Sequence, residues 1–432
     1  MSLLLFSALV ASVSSYTAIE KSFWLRNGNQ RIHYGRCRGA GAAAAGGEPV
    51  VLLNGFGVGF FHWERNMGAL AEGTGSDVFA VDYLGQGESW PVDCDDGNAP
   101  SEAGLRYSID TWADQVHDFI REVVLAESEG GSSSSSSSGS STSTSTSTST
   151  STSSSDSGVV LVGNSLGGLL AAVLAARHPD LVTRVALLNP TPLWGSGPQP
   201  IWPTWDAKLP PPAVPRFVGR WAYDRLRDED TISDLLERTY ADKGASLGNL
   251  PALIRGVTER SQGGHAAFAS IMWSRPATLW MMNKRGRQEE AKDFYALLTE
   301  GVEQDCLLLY GAEDPWCSPE FGRSAMRALQ AREEGGKEGR EGGGGEGRRT
   351  RRELYVELSP SGHCPHHETP EATNSILSRW IGSRGRDGCF DGERFGGGEG
   401  GGRKSAVVVT ATEVNNCRPR SLWERALTAA VR

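Results

Sequence analysis

The stretch VVLVGNSLGGLLAAVLAAR, residues 159–177, constrains this chain more than any other. Val159 to Val162 is a short β-branched and leucine run, the pattern of a strand buried on both faces. Leu166 to Arg177 is leucine and alanine, strong helix formers, and stops at His178-Pro179. Between them Gly163-Asn164-Ser165-Leu166-Gly167 matches Gly-x-Ser-x-Gly. Strand and helix can close around so short a turn only if glycines flank it. A serine at its apex is held in a strained backbone with its hydroxyl presented outward, the setting of a nucleophile. An ordinary glycine-rich turn with an incidental serine has the same five letters. The catalytic reading therefore needs an acid, a base and an oxyanion hole from elsewhere in the chain.

The rest of the chain alternates strands with helices. SFWLRNGNQRIHYGRCR reads as a hairpin around Asn27-Gly28-Asn29. PVVLLNGFGVGFFHWERNMGALAE reads as a buried strand, a glycine loop and a helix; SDVFAVDYLGQGES as a strand ending at Asp82 and a second glycine loop. YSIDTWADQVHDFIREVV carries Ile109, Trp112, Val116, Phe119 and Val123 near helical spacing, and LVTRVALLNP follows the elbow as another strand. This order predicts a doubly wound, mostly parallel sheet with its sites at the carboxyl ends of the strands.

Gly55-Phe56-Gly57-Val58-Gly59 after a strand, with Asp82 ending the next, imitates a dinucleotide-binding turn. The third glycine of that fingerprint would fall at Phe60, where a ring blocks close helix–strand contact. An oxyanion loop fits better. In that role the backbone N–H groups of Phe56 (or Gly57 with the register one residue on) and Leu166 would face the developing oxyanion.

The acid is sought after a late strand. DCLLLYGAEDPW supplies a strand over Leu307–Tyr310, then Glu313 and Asp314; Asp314, before a proline that keeps it extended, is preferred to Glu313. The base follows the last strand, Leu354–Leu358, in Ser361-Gly362-His363. His366, His367 and Glu368 with His363 imitate a metal cluster, but ligands confined to one loop make a weak site. His366 and His367 are expected at a helix start or on the surface, and no metal or cofactor is expected. The order Ser165, Asp314, His363 is that of the α/β-hydrolase fold.

Composition limits what else the chain can be. Its hydrophobic fraction of 38% is low because glycine, serine and threonine gather in tracts with nothing to bury, over residues 127–158, 332–352 and the tail 383–432. What remains, residues 19–382 less the tracts, suffices for one hydrolase domain. A net charge of −9 without a basic face argues against nucleic acid. Seven cysteines without paired C-x-x-C spacing suggest neither a disulfide framework nor a zinc ribbon, and fit a reducing compartment. The apolar run Leu3–Val13 within residues 1–18 is too short to span a bilayer and lacks a basic flank. It reads as a targeting leader, of plastid or secretory type, or as an imperfect gene start. No later stretch is a transmembrane candidate.

Between residues 190 and 300 the alternation lapses into proline-rich and then helical sequence, the expected place for a lid after the sixth strand; HAAFASIMWSRPATLWMMNKR also reads as helical. Six of the 13 tryptophans fall there, and with Met272, Met281 and Met282 they suit a large, greasy ligand unless they form the lid's own core.

LLNGFGVGFFHWE, DYLGQGES, GNSLGG, LLNPTPLWG, HAAFASIM, YGAEDPW and SPSGHCPH together resemble the pheophytinase family of α/β-hydrolases, from about Ile32 to Ile381. The resemblance implies a chloroplast enzyme that cleaves the phytyl ester of pheophytin to pheophorbide and phytol, at most peripherally associated with the thylakoid. Trp194 and Trp273 are the lid residues expected to meet that ligand. Chlorophyll or another lipophilic ester is the alternative substrate. A C–C bond hydrolase would use the same triad on small dianions and need a basic pocket. A hydrolase-fold ligand receptor would bind with little turnover.

Overall fold

In the computed structural model, the structure describes residues 18–39, 47–89, 103–126, 158–192, 205–242, 247–260, 263–274, 278–283, 285–338, 352–382 and 406–410. The hairpin is present as β1 (Glu20–Arg26) and β2 (Gln30–Cys37), turning through Asn27 and Gly28 at positive φ. β3 (Val50–Leu53), α1 (Glu64–Thr74), β4 (Val78–Val81) and α2 (Ile109–Phe119) follow. The elbow strand is β5 (Val159–Asn164) and its helix α3 (Leu166–Arg177), then comes β6 (Val182–Leu188).

One nine-stranded sheet carries the fold, in the order β1-β2-β4-β3-β5-β6-β9-β10-β11, with β9 at Asp305–Gly311, β10 at Glu353–Ser359 and β11 at Ala406–Thr410. β1, β2 and β4 pair antiparallel; every other neighbouring pair is parallel. Alternate residues feed opposite layers. Val51 and Leu53 join Trp112 and the leucines of α3 in one core. Val50 and Leu52 join Trp63, Met67 and Trp380 in the other. β3 and β4 are apolar throughout because both their faces are covered, whereas β1 at the sheet edge is mostly exposed.

Helices α4 (Ala213–Leu226), α5 (Glu229–Thr239), α6 (Leu250–Arg260) and α7 (Gly264–Met272) stand between β6 and β9. The helical expectation fails after them: Trp280–Met282 is a strand, β7, paired antiparallel with β8 (Gln288–Glu290). A short β-rich hairpin competes well with helix where a turn such as Asn283–Gly286 closes it, and Gly286 N–H donates to the Asn283 carbonyl. Two further boundaries move. Helix α8 (Pro319–Glu338) runs into the tract expected to begin at residue 332. The tail contributes β11, a parallel edge strand beside β10. Between β10 and β11 stand α9 (Pro365–Glu368) and α10 (Pro370–Gly382). The leader, most of the serine tract and Trp194 lie outside the described residues.

Candidate active site

Ser165 caps α3 with φ 54° and ψ −116°, a conformation that L-residues avoid. The flanking glycines explain how the chain accepts it. A Cβ on Gly163 would stand 2.1 Å from the Gly167 carbonyl oxygen, and one on Gly167 would stand 2.1 Å from that of Leu53. The turn is further pinned by Ser165 N–H donating to Leu188 O (2.9 Å) and Thr191 N–H to Ser165 O (3.1 Å). Leu166, the first residue of α3, is fully buried.

After β9, Asp314 is buried and surrounded by donors. Its Oδ1 accepts from the N–H groups of Trp316 (2.7 Å) and Cys317 (3.0 Å). Its Oδ2 accepts from Asn189 Nδ2 (2.5 Å) and lies 2.8 Å from His363 Nδ1. Glu313, the competing acid, is turned away: it accepts from Ser359 Oγ (2.8 Å) and Ser361 N–H (2.7 Å). Ser165 and His363 line one cavity of about 760 Å³, together with Phe56, Gly57, Gln86 and Asn164.

On the Gly55–Gly59 loop, Gly57 N–H is taken by the Gln86 side chain (2.9 Å). Phe56, the other register, lines the cavity with Ser165. Asp82, the acid of the dinucleotide imitation, is buried as a brace: it accepts from Phe60 N–H (2.5 Å) and Glu88 N–H (2.7 Å) and faces His33 Nδ1 (3.1 Å). A Cβ on Gly59 or Gly87 would collide with its carboxylate. Both glycine loops are therefore shaped around Asp82 and leave it no room to meet a ribose.

The opposite wall of the cavity comes from the four helices, including Tyr223, Leu226, Ile232, Leu236, Val257 and Phe268. Among the described residues, Arg227 is the only Asp, Glu, Lys or Arg in the lining. Trp273 is absent from it: its ring packs against Trp205, with centroids 6.1 Å apart. At the end of α7 it completes an aromatic contact within the insertion, and Trp316 stands at the cavity in its place. Trp316 sits two residues beyond Asp314, a position that no periodicity marks in the sequence.

His366 and His367 do start a helix, α9, but they are not on the surface; His366 is wholly buried. His366 Nε2 lies 3.3 Å from His62 Nδ1, His62 Nε2 lies 2.8 Å from the Tyr240 hydroxyl, and that hydroxyl lies 3.2 Å from His367 Nδ1. Burial holds His62 and His366 well below the usual imidazole range and His367 at about 3. Neutral rings can share protons in this way where charged rings would repel. Cross-links also tie the end of α5 to the His363 loop: His363 N–H donates to Thr239 O (3.0 Å) and Ala241 N–H to Glu368 (2.8 Å).

Asn164, which the sequence suggested only as a turn former, donates to the His363 carbonyl (2.9 Å) and so joins the elbow to the histidine loop. Asp314, Cys317 and His363 bring three ligand-type atoms within 4.8 Å of one another. Burial pushes the Cys317 thiol up to about 12, so it stays protonated and fits a metal poorly.

With this sheet order and this elbow, the chain belongs to the alpha/beta hydrolase family, whose model matches residues 50–376. The fold is shared with an esterase of Thermogutta terrifontis (17% identity, 84% of this chain and 99% of that one, TM-score 0.51). It is shared also with Cfl2 of Burkholderia cenocepacia (18% identity, 85% and 97%, TM-score 0.51). In sequence the chain is a homologue of the chloroplastic pheophytinase of Arabidopsis thaliana, 29% identical over 378 residues. That alignment covers 81% of this chain but 64% of the relative, so the chain spans under two thirds of its relative's length. Among the described residues no helix is long and apolar enough to cross a membrane.

Proposed function

We propose that the protein is a serine carboxylic-ester hydrolase that removes phytol from pheophytin. The observation that carries the reading is the 2.8 Å contact of His363 Nδ1 with buried Asp314, on the same cavity wall as the strained Ser165. With Nδ1 engaged, Nε2 of His363 is the nitrogen left to take the Ser165 proton as the hydroxyl oxygen attacks the ester carbonyl carbon. Asp314 holds the imidazole in that tautomer and stabilises its charge. The N–H groups of Phe56 and Leu166 receive the oxyanion, the second aided by its place at the amino end of α3. The tetrahedral centre collapses, the alcohol leaves with the proton from His363, and a water deprotonated by His363 then releases the acid from Ser165.

The substrate class rests on the cavity. Its wall of leucine, isoleucine, valine and phenylalanine, with Arg227 as the one permanent charge among the described residues, suits a lipophilic ester and offers a small dianion too few cations. That disfavours the C–C bond hydrolase. The pigment ester and the chloroplast setting rest on the resemblance to pheophytinase, as does peripheral contact with the thylakoid. In this reading α4 to α7 form the lid within residues 190–300. Multiple-turnover assays of purified protein on pheophytin, chlorophyll and a short-chain ester test it. Cleavage of pheophytin, abolished in Ser165→Ala, is expected. Turnover of the short ester alone would leave an esterase of other specificity, and no turnover of any would favour the ligand receptor.

A further inference from the structure

Helix α4 presents its largest apolar side chains away from the protein. Successive residues of a helix turn by about 100°, so Val214, Phe217 and Trp221 fall within roughly 60° of one another. They are 53%, 73% and 68% exposed. The positions facing the protein are Pro215, Gly219 and Tyr223, all buried. Gly219 sets the contact, since a Cβ there would stand 2.6 Å from that of Ala269 in α7. The stripe is thus the outer face of a helix already packed on its inner face.

Basic residues outnumber acids beside the stripe. Residues 213–227 hold Arg216, Arg220, Arg225 and Arg227 against the single acid Asp224, in a chain of net charge −9. Asp224 is itself engaged, with His265 Nε2 (2.9 Å) and Arg227 (3.0 Å). By the same helical spacing Arg220 and Arg225 lie on either side of the aromatic pair. Arginines there can reach headgroup phosphates while the rings enter the acyl boundary.

We propose that this face of α4 docks the protein on an anionic lipid surface. A second copy of the chain is a poorer occupant. Aromatic side chains bury about 150–250 Å² each and valine less, so the stripe falls short of the roughly 800 Å² per partner of a stable interface. The inner side and end of the same helix supply Tyr223, Leu226 and Arg227 to the cavity. Docking through α4 would set the cavity wall beside the bilayer in which a lipophilic ester resides. Only that purpose rests on the proposed function; the docking itself does not.

The test is flotation of the full chain with phosphatidylcholine vesicles, with and without phosphatidylglycerol. Wild type is expected to float with the anionic vesicles and to detach at high salt. Phe217→Ser/Trp221→Ser should lower partitioning about tenfold or more. Arg220→Gln/Arg225→Gln should weaken binding to anionic vesicles alone. Both variants should cleave a soluble short-chain ester at the wild-type rate, which shows that they fold. Wild type that stays with the unbound fraction, or variants that float like wild type, would overturn the proposal. So would loss of self-association in sedimentation when the aromatics are removed, which would assign the face to a second copy. If wild type floats yet leaves vesicle-embedded pheophytin intact, the substrate reading fails and the docking stands.

Discussion

Asn189 donates to the same carboxylate oxygen of Asp314 that faces His363, at 2.5 Å against 2.8 Å for the histidine. Asn189 holds φ 42° just past β6, and its Oδ1 accepts from Gly311 N–H (3.0 Å) at the end of β9. One side chain thus joins two neighbouring strands and aims the carboxylate between them. Replacing Asn189 with alanine removes the aim while leaving the acid. The expected result is a fall in kcat of about tenfold to a hundredfold, with KM for a short ester nearly unchanged. An unchanged kcat would show that Trp316 and Cys317 N–H groups suffice to hold Asp314.

Asp314→Asn should lower kcat far more, by about four orders of magnitude, because an amide in place of the carboxylate favours the wrong imidazole tautomer. Glu313→Gln keeps a partner for Ser359 and Ser361 and should leave kcat within about twofold. If Glu313→Gln is the damaging change, the acid has been misassigned.

Ser165→Gly should abolish turnover and yet stabilise the fold. Relief of the positive-φ strain contributes about 1–3 kcal/mol, against about 0.4–1 kcal/mol for the freer unfolded chain. The net gain should raise Tm by a few degrees, at about 2–4 °C per kcal/mol. A lower Tm would mean that the serine side chain makes contacts worth more than the strain.

The histidine cluster makes stability depend on pH. His62, His366 and His367 have folded pKa values below the ordinary one, chiefly through burial. Below about pH 6.5 the unfolded chain binds protons that the fold refuses, so stability is whole above that pH and falls as the solution acidifies. Each ring adds a slope of up to about 1.4 kcal/mol per pH unit, for His367 down to its folded value of about 3. Glu368, raised by burial, acts in the opposite sense but only near the carboxylate range. Urea midpoints measured from about pH 7 to pH 5 should fall steeply, and His367→Gln should flatten the curve. A level wild-type curve would contradict the cluster of neutral rings.

Trp316 is 61% exposed on the cavity, with its Nε1 3.3 Å from Thr239 Oγ1. Trp316→Ala should raise KM for pheophytin much more than for a short ester, since only the larger ligand reaches it. Trp273→Ala removes a ring that packs on Trp205 and should affect both substrates alike. The reverse pattern would restore Trp273 as the ligand contact.

Much of this protein is written locally. Leu166–Arg177 forms a helix as its composition demands, and Val159–Val162 extends by two residues into the elbow because Gly163 and Asn164 still pair with β6. The Gly-x-Ser-x-Gly turn, the hairpin and the chain order of Ser165, Asp314 and His363 are likewise short-range patterns, set by φ preference and strand periodicity. What distance decides was not legible. Glu313 and Asp314 are adjacent, and only the packing of β9 against β6 and β10 turns one carboxylate to His363 and the other to Ser361. His366 and His367 look polar and therefore exposed, yet His62, more than 300 residues earlier, supplies the partner that makes their burial tolerable. Trp273 and Trp316 carry the same ring. Which of them meets the cavity follows from how the helices after β6 lie over the sheet, since burial and hydrogen-bond satisfaction belong to the folded neighbourhood and not to the residue.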